Sequence, residues 1–200
     1  MLAETKITAM VLCGGAGSRM GGVDKPLQLI EKAGLVIPML DHVIATLPVH
    51  SPLLISANRS IAEYQQRGPV IADEPAVGSG PLLGVLAGIG HAQTEWLLVC
   101  PGDMPFLEQS WHEAIRKVAE QGDEHGAAVD SVVIHDGQRL QPLLSLIRTS
   151  CAENLRAYLQ TGEFSVHRWL ASLRCVTVRY NDTGQFLNIN TLTELQQTQD

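Results

Sequence analysis

The fold is decided by the stretch Leu12-Cys13-Gly14-Gly15-Ala16-Gly17-Ser18-Arg19-Met20-Gly21-Gly22-Val23-Asp24-Lys25. It follows an apolar run, residues 7–12, whose length and branched side chains predict a buried parallel strand. Glycines let backbone N–H groups turn towards an anion, and Arg19 and Lys25 add positive charge to the loop. The stretch therefore predicts a polyphosphate-binding loop at the end of a strand.

The spacing within this loop does not fit two familiar phosphate-binding motifs. A Walker loop needs Ser or Thr directly after its lysine, whereas Lys25 is followed by Pro26. A dinucleotide fingerprint needs a third glycine that opens a helix and an acidic residue about twenty positions further on. A glycine-rich turn that binds nothing is the alternative that the loop by itself leaves open.

Composition limits the class of protein. The chain has 200 residues, 45% hydrophobic composition and a mean hydropathy of +0.07, which predicts one α/β domain over residues 1–200. A net charge of −7 and a pI near 5.4 argue against a nucleic-acid partner. No signal peptide or membrane segment is visible, so we expect a cytoplasmic protein without a membrane partner. The four cysteines lack metal-ligand spacing, and Cys13 and Cys100, at the ends of predicted strands, are expected to be small buried residues.

Strands and helices alternate after the loop. Helices are predicted at 38–47, at 82–89 and at 109–121, and a polar helix is predicted after residue 60, extending to about 66. Strands are predicted at 53–57, 69–74 and 96–100. Within the first helix, His42 lies off the apolar stripe and is expected to be exposed. Asp136-Gly137 between β-rich runs predicts a hairpin, followed by helices at about 151–160 and 166–173, a strand at 174–180 and a C-terminal helix. The fold class is thus α/β, with a mostly parallel sheet and an antiparallel excursion in the C-terminal half.

Polar residues follow several of these strands. Asn58 either caps the next helix or contacts a nucleotide, and Asp103, between Gly102 and two prolines, either shapes a turn or holds Mg²⁺. Carboxyl ends of parallel strands share one edge of a sheet, so Asp73 and Asp103 should lie there with the first loop. Cations, backbone donors and carboxylates are complementary parts of a metal–triphosphate site.

The chain resembles nucleotidyltransferases with a GGxxxRMGxxDK loop, and most closely the molybdenum cofactor guanylyltransferases. The resemblance rests on the first loop and on five further segments: 57–59, 80–84, 100–105, 135–137 with 141–143, and 187–191. It implies a Rossmann-like three-layer α/β/α nucleotidyltransferase fold. It also implies transfer of GMP from GTP to molybdopterin with release of pyrophosphate.

The same resemblance implies roles for individual residues. GTP would be bound by Leu12, Cys13, Gly14, Gly15, Lys25, Asn58, Asp73, Gly84 and Asp103, with Mg²⁺ as cofactor on Asp103. Arg19, Lys25 and Asp103 would be catalytic, Arg19 by neutralising the departing pyrophosphate. The pterin side, about 126–191, would include His135, Asp136, Gln141, Asn188 and Asn190. Molybdenum-insertion proteins and molybdoenzyme chaperones would be its protein partners.

Two segments depart from the family pattern. Cys13 stands where the family usually has alanine, and residues 29–38 replace a short Gly-Lys-Pro turn. Transfer of CMP to molybdopterin, or transfer to a sugar phosphate, is the nearest alternative function. A nucleotide-binding interaction subunit without catalysis is a further alternative, against which the intact Arg19, Lys25 and Asp103 argue.

Overall fold

The computed structural model describes residues 1–14, 24–73, 80–124, 128–180 and 184–187. The strands are β1 Ile7–Leu12, β2 Leu29–Lys32, β3 Leu35–Pro38, β4 Leu53–Ser56, β5 Val70–Ile71, β6 Trp96–Pro101, β7 Ser131–His135, β8 Leu140–Arg148 and β9 Cys175–Arg179. The α-helices are α1 Met39–Ile44, α2 Ile61–Gln65, α3 Pro81–His91, α4 Ser110–Glu124, α5 Ala152–Gln160 and α6 Val166–Ala171. Short 3-10 turns span Glu4–Lys6, Lys25–Leu27, Thr149–Cys151 and Gly184–Phe186.

Seven strands form one sheet in the order β5-β4-β1-β6-β8-β7-β9. β5, β4, β1 and β6 are mutually parallel, and β8 pairs antiparallel with β6 and with β7. β9 then runs parallel to β7. The predicted mostly parallel sheet with an antiparallel excursion is confirmed. As a result, six strands end at one edge of the sheet, and β8 begins there.

Both faces of the sheet are covered, because the central strands are apolar on both sides. Along β1, Ile7, Ala9 and Val11 belong to the cluster that includes α1 and α4, whereas Met10 and Leu12 belong to the cluster that includes α3, α5 and α6. Successive side chains of a strand point to opposite faces, so this alternation requires a helix layer on each side. The three-layer α/β/α arrangement follows directly.

Helix α3 packs very closely on the sheet through glycine. A Cβ added to Gly88 would lie 2.3 Å from the Met10 Sδ and 3.1 Å from a methyl of Leu97. The first separation would require Met10 to move, and the second is tighter than ordinary contact, so glycine allows this helix to lie close to β1 and β6.

The atypical segment 29–38 is a hairpin outside the main sheet. β2 and β3 pair antiparallel, with Ala33 and Gly34 in the turn at φ of 54° and 79°. Lys32 Nζ donates to the carbonyl oxygens of Pro105 and Leu107 at 3.0 and 3.1 Å. The hairpin is therefore fastened to the segment that follows β6.

The hairpin also explains a wrong prediction. His42 is buried, with 6% of its surface exposed, and its Nε2 lies 3.2 Å from the carbonyl oxygen of Ile30. The helical pattern of 38–47 shows only one apolar stripe, and His42 lies outside it. The β2–β3 hairpin packs against this second side of α1 and buries His42.

Most other element predictions are confirmed, with ends shifted by a few residues. The four cysteines are free thiols, and Cys13 and Cys100 are buried as expected. Cys151 is buried as well, and Cys175 is partly exposed. Among the described residues, no helix is long and apolar enough to span a bilayer. The predicted C-terminal helix lies outside the described residues.

Candidate active site

The loops after β1 and β6 meet at the carboxyl edge of the sheet. The backbone N–H of Cys13 donates to the Ser56 carbonyl at 2.8 Å, and that of Gly102 donates to the Leu12 carbonyl at 2.9 Å. A Cβ on Gly102 would lie 2.9 Å from the Cys13 Sγ. Glycine at 102 therefore lets the two loops approach to within van der Waals contact.

Lys25 and Asp103 form an ion pair across these two loops. The Lys25 Nζ donates to Asp103 Oδ2 at 2.5 Å, and both side chains are partly exposed, at 17% and 23%. A cation and a carboxylate that both reach solvent at one point can bind a phosphate and a metal ion side by side. This contact joins two residues that were predicted to act together and lie 78 positions apart.

Asn58 and Asp73 form a second polar pair, at the ends of β4 and β5. Asn58 Nδ2 donates to Asp73 Oδ2 at 2.8 Å, and Asn58 Oδ1 accepts from the Asp73 N–H at 2.9 Å. Ser56 Oγ donates to Asp73 Oδ1 at 3.2 Å. Asn58 is thus not the cap of α2, whose first flanking residue is Ser60; it holds the carboxylate of Asp73 in place.

Gly84 is what makes room for this carboxylate. A Cβ at Gly84 would lie 2.6 Å from the Ser56 Oγ and 3.2 Å from Asp73 Oδ1. The family resemblance assigned Gly84 to GTP binding, and the structure places it against the Ser56 and Asp73 side chains. At the other side, a Cβ at Gly14 would lie 4.0 Å from Asn58 Nδ2, so the start of the first loop borders the same cluster.

The described residues contain no group of three or more His, Cys, Asp or Glu side chains that could enclose a metal ion. Mg²⁺ is commonly held by one or two carboxylates together with substrate phosphates, because it keeps much of its own water shell. A single partly exposed carboxylate beside a cation, as at Asp103, fits that mode of binding and does not fit a protein cage.

The turn between β7 and β8 is built around Asp136. Its carboxylate accepts from the N–H groups of Gln138 and Arg139 at 2.8 and 2.7 Å and from Gln141 Nε2 at 2.7 Å. Burial acts to raise the pKa of Asp136, but the backbone donor of Arg139 and the further donors outweigh it and lower the pKa. Gly137 has a φ of 94°, as the predicted Asp-Gly turn requires. The Asp136 carboxylate therefore fixes the conformation of this turn.

His135 has a defined tautomer in this turn. Its Nδ1 accepts from the Gly137 N–H at 3.1 Å, so the proton of the neutral ring is on Nε2. Its backbone carbonyl accepts from the Tyr180 N–H at 2.8 Å, which ties the turn to the end of β9. The ring can thus offer a hydrogen-bond donor at the carboxyl edge.

The β7–β8 turn and the loop after β6 lie at the same edge of the sheet. β8 begins at the edge where β6 ends, and the two strands are neighbours, with Val99 opposite Ser145 as the last pair. Between Ser145 and Gln141, β8 bulges against β7, so the regular register does not extend to the turn. The side predicted for the nucleotide and the side predicted for the pterin therefore lie on neighbouring strands of one edge.

The structure brings together many of the predicted site residues. Those with a described place at the carboxyl edge are Leu12, Cys13, Gly14, Lys25, Asn58, Asp73, Gly84, Asp103, His135, Asp136 and Gln141. Gly15, Arg19, Asn188 and Asn190 lie outside the described residues. Sequence reasoning missed Ser56 as a partner of Asp73, since a serine in a strand carries no signal for a contact 17 residues away.

Comparison with known proteins agrees with this architecture. A family model described as the MobA-like NTP transferase domain matches residues 9–177. A molybdenum cofactor guanylyltransferase from Cupriavidus pinatubonensis is 40% identical over 201 residues, with 98% of each chain covered. The chain belongs to the molybdenum cofactor guanylyltransferase family. Its relative from Cupriavidus metallidurans is 38% identical, with 98% of this chain and 95% of that one covered.

A solved structure supports the fold of this guanylyltransferase family member. Molybdopterin-guanine dinucleotide biosynthesis protein A from Archaeoglobus fulgidus superposes with a TM-score of 0.74 at 21% identity, covering 96% of both chains. The cysteine that replaces the usual alanine at position 13 is accommodated because it packs against Gly102. Burial raises the pKa of the Cys13 thiol, so it stays protonated and unreactive.

Proposed function

We propose that this protein transfers GMP from GTP to molybdopterin and releases pyrophosphate. The observation that carries the proposal is the Lys25–Asp103 pair between the loops after β1 and β6, in a chain of the guanylyltransferase family. Four free thiols suit the reducing cytoplasm, where we place the reaction.

At the phosphate end, the chain supplies charge and position and no covalent nucleophile. A phosphate oxygen of the pterin attacks the α-phosphorus of GTP, the bond to the β-phosphate oxygen breaks, and pyrophosphate leaves. Lys25 donates to the phosphate oxygens, and Arg19 neutralises the leaving pyrophosphate, as the family resemblance implies. Such fixed donors act most strongly on charge that develops during transfer.

Mg²⁺ is the metal we propose for the site. Asp103 would hold it together with phosphate oxygens, in exchange for part of its present contact with Lys25. When bound, the ion supplies positive charge to the triphosphate.

At the base end, we assign recognition of guanine to Asp73. Strands lie about 4.8 Å apart, so β5 is roughly 10 Å from β1, and a nucleotide with its phosphates at Lys25 can extend over β4 towards Asp73. A carboxylate only accepts hydrogen bonds, and guanine alone among the four bases presents two adjacent donors, N1–H and N2–H, on its pairing edge. The donors from Ser56 and Asn58 fix the orientation of the carboxylate.

At the acceptor end, we place the pterin against the β7–β8 turn. His135 Nε2–H and the Gln141 amide are the groups of this turn that we assign to the pterin, with Asn188 and Asn190 assigned by family resemblance. Asp136 contributes by fixing the turn. The acceptor phosphate then enters at the same edge of the sheet as the nucleotide, because β8 and β6 are neighbouring strands.

The test is pyrophosphate release from GTP, CTP, ATP and UTP, each with Mg²⁺ and with or without molybdopterin. We expect release that depends on both GTP and the pterin. Release with CTP would move the function to cytidylyl transfer, and release only with a sugar phosphate in place of the pterin would replace the acceptor. GTP binding without any turnover would favour the interaction-subunit alternative.

A further inference from the structure

Asp24, the residue before Lys25, points into the protein and not towards the site. Its side chain is 9% exposed, and it makes no side-chain capping bond to the 3-10 turn that starts at Lys25. A carboxylate beside a phosphate-binding lysine would repel phosphate if it faced the same way. Its burial therefore needs partners, and the structure supplies them from α2 and from the segment before it.

Tyr64 on α2 is the first partner. Its hydroxyl donates to Asp24 Oδ1 at 2.8 Å, and the tyrosine is completely buried. Burial, with the nearby Cys13 and Asp24, raises the pKa of Tyr64 far above its usual range. The hydroxyl therefore keeps its proton and acts as the donor at every pH at which the protein works.

Arg59 is the second partner. Its Nε lies 3.6 Å from Asp24 Oδ2, within ion-pair distance and longer than a hydrogen bond. Asp24 is thus held by one short neutral donor and one more distant cation. Of the two, Tyr64 fixes the geometry, because a hydrogen bond is directional and a longer ion pair is not.

Cys13 connects this cluster with the other loop of the site. It lies in the same buried cluster as Tyr64, and a Cβ added to Gly102 would lie 2.9 Å from its Sγ. Lys25 directly follows Asp24 and Asp103 directly follows Gly102, and these two side chains form the phosphate end of the site.

We propose that Tyr64, through its hydrogen bond to Asp24, is the positioning residue that sets Lys25 for the triphosphate. This inference rests on the proposed function and deepens it, since it assigns a role to a residue that reaches the nucleotide only through Lys25. Tyr64 touches neither GTP nor the pterin in this arrangement.

The experiment is a double-mutant cycle on GTP affinity with Tyr64→Phe and Lys25→Ala, measured by equilibrium titration. Tyr64→Phe removes one oxygen, and we expect GTP to bind about five- to tenfold more weakly, the usual range for one hydrogen bond. In the Lys25→Ala background the same change should alter GTP affinity less than about twofold, because coupled residues are not additive. In turnover assays, the KM for GTP should rise and that for the pterin should stay constant.

Tyr158→Phe is the matched control. Tyr158 lies on α5, in the helix layer on the other face of the sheet from Tyr64, and its hydroxyl donates to the Ser165 carbonyl at 3.1 Å. GTP affinity should therefore not change. Equal effects of Tyr64→Phe and Tyr158→Phe, or an effect of Tyr64→Phe that persists in the Lys25→Ala background, would overturn the proposal.

Failure of the proposed function is visible separately, since the wild-type protein would then release no pyrophosphate from GTP. If Tyr64→Phe does not fold, Asp24→Ala enters the same cycle. It removes the acceptor of the Tyr64 hydrogen bond and so breaks the same contact from its other side. A loss of GTP affinity that vanishes in the Lys25→Ala background supports the proposal, and an additive loss contradicts it.

Discussion

The two halves of the carboxyl edge are held together in different ways. On the nucleotide half, each functional side chain bonds to a partner on another element: Lys25 to Asp103, Asn58 to Asp73, and Tyr64 to Asp24. On the acceptor half, the bonds of the Asp136 side chain are local, since it accepts from residues two, three and five positions along the chain. The nucleotide half is thus assembled by tertiary structure, and the acceptor turn is shaped by its own sequence.

The largest effect should come from breaking the pair between the β1 and β6 loops. Asp103→Asn keeps the size of the side chain and an acceptor for Lys25, so the melting temperature should change little. Turnover should fall about a thousandfold, because a metal ligand is worth several kcal/mol in transition-state charge stabilisation. Steady-state pyrophosphate release measures it. Glu163→Gln, which alters the exposed pair with Arg168, is the control and should leave turnover intact. Wild-type turnover in Asp103→Asn would remove Asp103 from the catalytic machinery.

The next effect concerns the Asn58–Asp73 pair. Asp73→Asn replaces an acceptor by a donor opposite the guanine edge, so kcat/KM for GTP should fall roughly 10- to 100-fold, the range for a charge-assisted hydrogen bond. The values for ATP and CTP should change only a few-fold, as competition assays among the four nucleotides would report. Ser56→Ala removes only one supporting donor and should have a smaller effect with the same selectivity. An equal loss for all four bases would show that Asp73 does not read the base.

The third effect concerns the close approach of α3 to Ser56 and Asp73 at Gly84. Gly84→Ala places a methyl group 2.6 Å from the Ser56 Oγ, so we expect unfolding free energy to fall by about 1–3 kcal/mol and GTP affinity to fall with it. On the same helix, Gly90 has no atom within 4 Å of an added Cβ, and Gly90→Ala should stabilise by up to about 1 kcal/mol. Urea unfolding of both variants measures the two changes in unfolding free energy. If both variants were stabilised or both destabilised, the packing argument would be contradicted.

The smallest effect is expected on the acceptor half. Asp136→Asn retains one oxygen for the turn, so the unfolding free energy should fall by about 1 kcal/mol. GTP affinity should stay within about twofold of wild type, because the bonds of the Asp136 side chain lie within the turn. The KM for the pterin, which we place against this turn, should rise a few-fold. Arg139→Ala is the control, since its side chain is 73% exposed and its ion pair with Asp136 at 3.8 Å contributes little. A large loss of GTP affinity in Asp136→Asn would show that the two halves are coupled more tightly than their contacts indicate.

The sequence by itself determined the parallel half of the sheet, the place of Asp103 after β6 and the turn between β7 and β8. These depend on local signals: an apolar run before glycines, Asp103 after a buried strand, and Asp136-Gly137 between β-rich segments. Local periodicity and turn chemistry act over a few residues, so they can be read without the fold.

Only the tertiary structure decided which side chains meet. The Asn58–Asp73 and Tyr64–Asp24 bonds join residues 15 and 40 positions apart. The periodicity of apolar residues along a sequence gives no information about contacts over such separations. The burial of His42 has the same origin, since it depends on the β2–β3 hairpin crossing α1. Strand order brings these groups to one edge, and the specificity of the site depends on that order.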